Sequence, residues 1–256
     1  MKKIFVTLLA VCLASGVMAV DLPKQGFGVQ IGWAQPIIRL NSPNPTYPSD
    51  SLANTVKLKG FKVGLVYDAS YIAGFGSTIS LNYTFGMHYG KWKTDSKNLY
   101  NDYPRYRNTI MYHQLELGVD WQYKFEIAKE TYLILYTGPT LQCGLTFNMR
   151  LDEQTQDLIS GEVTTIEGDW KDAYNVSKVD DSGMPEYQKE DNALSRLNIT
   201  WGVGAGFQYK RYFLRGGYDF GLINPYKHSD FTSGRHTRGR YDQWQIKLGV
   251  YLWYNE

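Results

Sequence analysis

Beyond its first twenty residues the chain has no apolar run that could cross a bilayer as a helix, which takes about 20 consecutive residues, so a helical membrane protein is excluded. Cysteine is nearly missing: Cys12 and Cys143 are the two present, and Cys12 falls in a leader-like stretch, so no internal disulfide framework is expected. Histidine is scarce and scattered, at His88, His113, His228 and His236, which gives no recognisable metal site. An excess of one charge is also missing. Lys and Arg number 27 against 25 Asp and Glu, and Lys2 and Lys3 alone account for the net +2, so the mature chain carries no basic surplus that would point to nucleic acid.

What is present is alternation. In Gln243–Tyr254, the residues Trp244, Ile246, Leu248, Val250, Leu252 and Tyr254 share one parity, while Gln243, Gln245, Lys247 and Gly249 share the other. Period two of this kind makes a strand with one greasy and one polar face. The same pattern predicts strands near residues 27–34, 57–67, 75–89, 114–125, 132–148, 197–209 and 212–222. The fourth is the most telling: Leu115, Leu117, Val119, Trp121, Tyr123 and Phe125 alternate with Gln114, Glu116, Gly118, Asp120, Gln122 and Lys124. One face must meet water or ionic partners while the other needs an apolar medium. Pro36 is expected to end the first strand, and Gly138-Pro139 to break pairing within the fifth.

The connections alternate in length. Long polar loops are expected near 35–56, 91–108, 149–196 and 223–239, with tight turns near 68–71, 128–130 and 210–211. Lys2-Lys3, an apolar core over 4–14 and the small-residue end Gly16-Val-Met-Ala19 read as a secretory signal cleaved after Ala19. A lipoprotein signal would instead use Cys12, but Val11 stands where a small residue is wanted. Residues 20–256 then form one domain, a closed antiparallel up-and-down transmembrane β-barrel of about eight strands, with long loops outside and short turns in the periplasm. A soluble lipocalin-like barrel would turn its apolar face inward. Aromatics near strand ends, Tyr67, Tyr123, Tyr209, Tyr212 and Tyr254 below and Trp33, Phe147 and Trp201 above, are expected to face lipid as interfacial girdles. Cys143 shares a parity with Leu141, Leu145 and Phe147 and reads as a small lipid-facing residue.

Two resemblances follow from these residues. Lys247, Gly249, Leu252 and Tyr254 resemble the C-terminal assembly signal of outer-membrane barrels, apart from the Asn255-Glu256 tail, and imply recognition by the barrel-assembly machinery. The alternation, the loop asymmetry and segments such as Leu135-Tyr-Thr-Gly-Pro-Thr-Leu141 resemble the PorT-like, or porin family, outer-membrane barrels of Gram-negative bacteria. That resemblance spans nearly the whole mature chain and implies an outer-membrane location. Its members are mostly of unassigned activity, some tied to secretion or envelope assembly, so it implies no site residues.

Several constellations invite chemistry. Lys62, Glu116, Asp120, Arg215, Asp219 and Lys247 share the polar parity and are expected to point into the lumen, either as neutralising salt bridges or as an ion or proton path. Gly202-Val-Gly204-Ala-Gly206 superficially matches a dinucleotide fingerprint, but a strand follows it where a helix N-terminus would be needed. His228-Ser229-Asp230 invites comparison with lipid-modifying barrels, yet three successive residues do not converge on one reacting atom. The acidic loop lacks the spacing of a calcium loop and is expected to fold against basic neighbours, Lys91, Lys93, Lys97, Arg105 and Arg107 in one loop and Lys227, Arg235, Arg238 and Arg240 in another. No catalytic, cofactor or metal residues are assigned. The expectation is a monomeric barrel with a structural or interaction role, in contact with outer-membrane lipids, lipopolysaccharide and an envelope protein partner. A lipid-modifying enzyme and a small diffusion channel are the alternatives.

Overall fold

The computed structural model describes residues 25–41, 56–72, 74–94, 104–157, 159–174, 194–224 and 238–255. The expected signal peptide at 1–19, with Cys12, and Lys97, Lys227, His228, Ser229, Asp230, Arg235 and His236 lie outside them. Among the described residues the secondary structure is all strand: β1 (Gln25–Asn41), β2 (Val56–Lys57), β3 (Lys59–Ile72), β4 (Phe75–Tyr89), β5 (Lys93–Thr94), β6 (Arg105–Ala128), β7 (Thr131–Gln156), β8 (Val163–Ile166), β9 (Lys171–Asp172), β10 (Leu197–Tyr209), β11 (Tyr212–Gly221) and β12 (Arg238–Asn255).

The eight long strands close on themselves. Each pairs antiparallel with its neighbours in the order β1, β3, β4, β6, β7, β10, β11, β12, and β12 returns to β1 through Gly32↔Lys247 and Trp33↔Ile246. Closure leaves no edge in the wall, so every backbone polar group there can be satisfied without water. The outward side chains are apolar on all eight strands: Ile31, Leu65, Leu81, Leu117, Leu135, Val203, Leu214 and Leu248 are each at least two-fifths exposed. The inward ones include Gln30, Lys62, Asn82, Glu116, Gln142, Thr200, Arg215 and Gln245, all buried. Polar interior with apolar exterior is the inverse of a soluble barrel, and the molecule is a transmembrane β-barrel of the outer-membrane type.

The two prolines behave differently. Pro36 does not end β1, which stays paired with β12 as far as Asn41↔Arg238. Its ring nitrogen lies on the other side of the strand, opposite Leu58, between Ala34↔Gly60 of the β3 ladder and Ile37↔Lys57 of β2 in the same register; there the Pro36 carbonyl accepts from the Leu58 N–H at 2.8 Å. The proline cannot return that bond, so one ladder donor is lost and the pairing is interrupted between β3 and β2. At Gly138-Pro139 the ladder to β6 lapses between Trp121↔Thr137 and Gly118↔Thr140, while pairing with β10 continues through Trp201↔Pro139.

Two β-bulges correct the girdle assignments. Opposite the His113/Gln114 step of β6, β7 carries an extra residue at Leu145, and the parity flips so that Phe147 is buried inside. Opposite the Phe27/Gly28 step of β1, β12 carries an extra residue at Leu252. Tyr254 then stacks on the buried Tyr251, at 5.4 Å between ring centroids, and its hydroxyl accepts from Gln208 Nε2 at 2.8 Å. Neither Phe147 nor Tyr254 is in a lipid-facing girdle, because one inserted residue reverses every later side chain on its strand. Trp33, Trp201, Tyr209 and Tyr212 are exposed on the outer face.

The wall is uneven in height. β6 and β7 have 24 and 26 residues, whereas β10 and β11 have 13 and 10. Roughly nine to eleven tilted residues suffice to span a bilayer, so β6 and β7 overshoot it on the long-loop side. There β5, β8 and β9 add to them, and residues expected to be loop, at 105–108 and 149–156, are strand instead.

Candidate functional site

The lumen is filled in layers. At the long-loop mouth Ile38, Leu58, Ile110, Tyr112, Phe147, Tyr174, Leu194 and Tyr241 form an apolar, largely aromatic layer. Leu58 stands between β2 and β3 opposite Pro36, and Tyr174 and Leu194 lie outside the strands, with Ala173 N–H bonded to the Phe147 carbonyl at 2.8 Å and Leu194 N–H to the Ala173 carbonyl at 3.1 Å. At the short-turn end Val66, Phe213 and Tyr251 make a second apolar layer.

Eight buried charged side chains share the lumen with these layers, acidic Asp68, Glu116, Asp120 and Asp219 against basic Lys62, Lys124, Arg215 and Lys247. Signs balance, as they must where water is scarce. The upper group centres on Glu116, which pairs with Lys62 Nζ at 2.5 Å and accepts from Thr84 Oγ1 at 2.6 Å, from Gln243 Nε2 at 3.2 Å and from Gln114. Lys62 also donates to Gln245 Oε1 at 2.7 Å, and Gln245 Nε2 donates in turn to Asp219 at 2.8 Å. The lower group centres on Asp68. It receives Tyr251 Oη at 2.5 Å, Gln122 Nε2 at 2.7 Å, Lys124 Nζ at 2.9 Å and Arg215 Nη2 at 3.4 Å. Arg215 also reaches Thr78 Oγ1 and Gln122 Oε1, each at 3.0 Å.

The six charges singled out from the sequence therefore all lie inside, but the structure joins them unequally. Lys62 and Glu116 form a direct pair, Asp219 is linked to them through Gln245, and Arg215 pairs with Asp68. Among the described residues Asp120 and Lys247 have no hydrogen bond or ion pair. Sequence reasoning placed Lys124 on the polar face of its strand but did not group it with the six, and it missed Asp68, which it read as a turn. Asp68 follows the parity of Lys62, and Val66 between them, apolar yet inward, masked the continuation. The glycines of β10 have a steric reason: the Tyr136 ring lies over Gly204, where a Cβ would collide with it. Of the residues resembling an assembly signal, Lys247 is buried in the lumen, Gly249 lies under the Phe213 ring, Leu252 faces outward and Tyr254 is turned inward.

Outside the membrane-spanning part, the overshoot of β6 and β7 is held by arginine. Asp152, fully buried, accepts from Arg107 Nη2 at 2.7 Å and lies 2.9 Å from Arg150 Nε. The Arg107 guanidinium covers the Tyr89 and Trp92 rings at 4.3 and 4.5 Å, and Arg150 continues to Glu167 at 2.9 Å. On the opposite rim Asp242 accepts from Tyr218 Oη at 2.9 Å and from the Gly221 N–H at 3.0 Å, and is flanked by Arg240 at 2.5 Å and Arg39 at 3.2 Å. Thus Arg107 does meet an acid of the long connection, whereas Arg240 turns to Asp242 on its own strand.

Among the described residues no three His, Cys, Asp or Glu side chains are grouped to hold a metal. His88 Nδ1 lies 3.2 Å from the Lys57 carbonyl, and His113 Nδ1 shares a hydrogen bond of 2.5 Å with Tyr83 Oη. Cys143 is a free, half-buried thiol.

No family model and no curated protein matches this chain. Solved structures do align with it. The attachment invasion locus protein Ail of Yersinia pestis shares 10% identity over 90% of this chain and 99% of its own, with a TM-score of 0.39. Neisserial surface protein A shares 15% over 89% and 97%, with a TM-score of 0.38. The N-terminal β-barrel domain of Pseudomonas aeruginosa OprF shares 9% over 86% and 97%, with a TM-score of 0.23. Likeness at this level carries nothing about activity, and the barrel assignment rests on the closed ladder and its inverted polarity.

Proposed function

We propose that this protein is a monomeric, closed-lumen barrel of the Gram-negative outer membrane, non-catalytic, whose role is interaction or structural and is carried by its extracellular extension. The observation that supports this most is the contrast between the two ends of the same strands. Within the membrane β6 and β7 help to enclose a lumen filled by two apolar layers and by buried charge that balances in sign; beyond it they run on as an added sheet. A pore would leave a continuous wet path, and here tyrosine and phenylalanine rings interrupt it. The PorT-like resemblance accords with this reading and adds an envelope or secretion partner. The apolar belt would contact membrane lipid and lipopolysaccharide, and Lys247, Gly249, Leu252 and Tyr254 would be read by the assembly machinery before folding, since Tyr254 is packed inward afterwards.

Planar-bilayer recording tests the closed lumen. The purified barrel should insert without steady conductance. Stable, voltage-independent openings would put a diffusion channel in its place.

A further inference from the structure

The added sheet ends in an open edge. β8 pairs with β7 through Glu153↔Ile166, Gln154↔Thr165, Thr155↔Thr164 and Gln156↔Val163, and with nothing else among the described residues. All four of its residues, Val163-Thr-Thr-Ile166, are exposed. The Asp157 N–H bonds to the Glu162 carbonyl at 2.9 Å, so residue 162 belongs to a hydrogen-bonded pair. By antiparallel alternation Thr164 and Ile166 also direct their backbone groups to β7, and those of Val163 and Thr165 face the open side. Uncharged, β-branched and free of proline, this is the kind of edge that soluble proteins blunt, and nothing in its own sequence does so.

Flanking charge says what fits there. Glu162 and Asp169 are exposed around the strand, as is Glu167, which Arg150 engages at 2.9 Å, with Glu153 and Asp157 on the facing segment. A second copy of β8 would bring the same sign of charge to the seam, and no basic residue within 162–169 offsets it. Like charge gathered at one seam disfavours that pairing.

We propose that β8 is a strand-addition site for an extended, uncharged β-branched segment of another protein with lysine or arginine at its ends. Backbone bonds to Val163 and Thr165 supply the attachment, and the acidic flanks select the basic ends. This rests on the interaction role proposed above, but it is tested separately from the lumen, so a conducting barrel would leave it standing and a failed edge would leave the closed lumen standing.

The test uses the full-length barrel in lipid nanodiscs and short synthetic peptides with a Val/Thr core. One has lysines at both ends, one glutamates, and one is the lysine peptide methylated on alternate amide nitrogens. The lysine peptide should bind at least about tenfold more tightly than either of the others and should protect the Val163 and Thr165 amides from hydrogen exchange. Thr165→Pro removes an outward N–H without touching the β7 ladder, so it should lose binding while gel mobility of the folded barrel is unchanged. Glu162→Lys with Asp169→Lys should transfer the preference to the glutamate peptide. Equal binding of the methylated peptide, equal binding of both charge types, equal uptake by empty nanodiscs, or no binding would each overturn the proposal. So would dimerisation abolished by Thr165→Pro, which would make a second copy the occupant.

Discussion

Replacing Lys62 by methionine isolates the central charge pair of the lumen. The side chains of Lys62 and Glu116 are each 1% exposed and meet at 2.5 Å. Methionine fills nearly the same volume, so packing is conserved and the carboxylate alone is stranded. Breaking a buried pair from one side costs about 3–5 kcal/mol, chiefly the penalty of a charge left without compensation. Glu116 would keep Thr84 and Gln243, and Gln245 would lose its Lys62 contact, so we expect a loss near the lower end, about 3 kcal/mol. Removing both charges, with Lys62→Met and Glu116→Gln, should recover much of it, because a neutral pair of similar shape carries no stranded ion. The assay is reversible urea unfolding in lipid vesicles, read in parallel by tryptophan emission and heat-modifiable gel mobility. A coupling energy of about 2 kcal/mol or more is expected from the double-mutant cycle; additivity within about 0.5 kcal/mol would show that the two side chains do not depend on one another, and the account of the lumen would fall.

Gly249→Ala should destabilise the folded barrel by about 1–3 kcal/mol, because the added methyl enters the space of the Phe213 ring. The same unfolding assay checks it, and unaltered stability with slowed assembly would assign the glycine to recognition alone. In the exposed turn before β8, the Ser160 and Ile159 N–H groups hold the Asp157 carboxyl below its usual range. A carboxyl lowered in the folded state contributes above its unfolded value and loses that contribution as pH falls through the folded one. Amide exchange at Ile159 should therefore accelerate, relative to the intrinsic rate, as the medium is acidified through that range; slower relative exchange in acid would refute the Asp157 contact.

How much of this was legible in the sequence depended on whether one face of a strand met lipid. Where it did, alternation placed the elements closely: Phe75–Tyr89 and Leu197–Tyr209 are read with the ends the structure gives them. Above the membrane neither face of β6 and β7 meets lipid and charged side chains pack as well as apolar ones, so the contrast of parity fades, and Arg105–Asn108 and Met149–Gln156 read as loop although they are paired strand. Bulges are silent for another reason. Leu145 and Leu252 are apolar residues in apolar runs, and nothing in their chemistry announces that the chain steps by one there. Of the lumen charges, six were grouped by parity, and Lys124, between Tyr123 and Phe125, was placed on the polar face of its strand without being joined to them. Asp68 was lost to a turn because it lies close to the end of β3, yet it is the hub of the lower group.

The seam between β7 and β10 joins parts of the chain separated by its longest connection, through thirteen register partners from Leu197↔Cys143 to Tyr209↔Thr131. Its lower end is stitched from turn to turn: the Lys210 N–H bonds to the Glu130 carbonyl at 2.9 Å, the two side chains lie 3.7 Å apart, and both residues adopt positive φ. Holding that seam thus does not depend on the polypeptide that bridges it at the far end. Severed after Tyr174, the chain would amount to two interlocking pieces, a larger one supplying five staves of the cask and a smaller one supplying three, each offering the other two complementary borders.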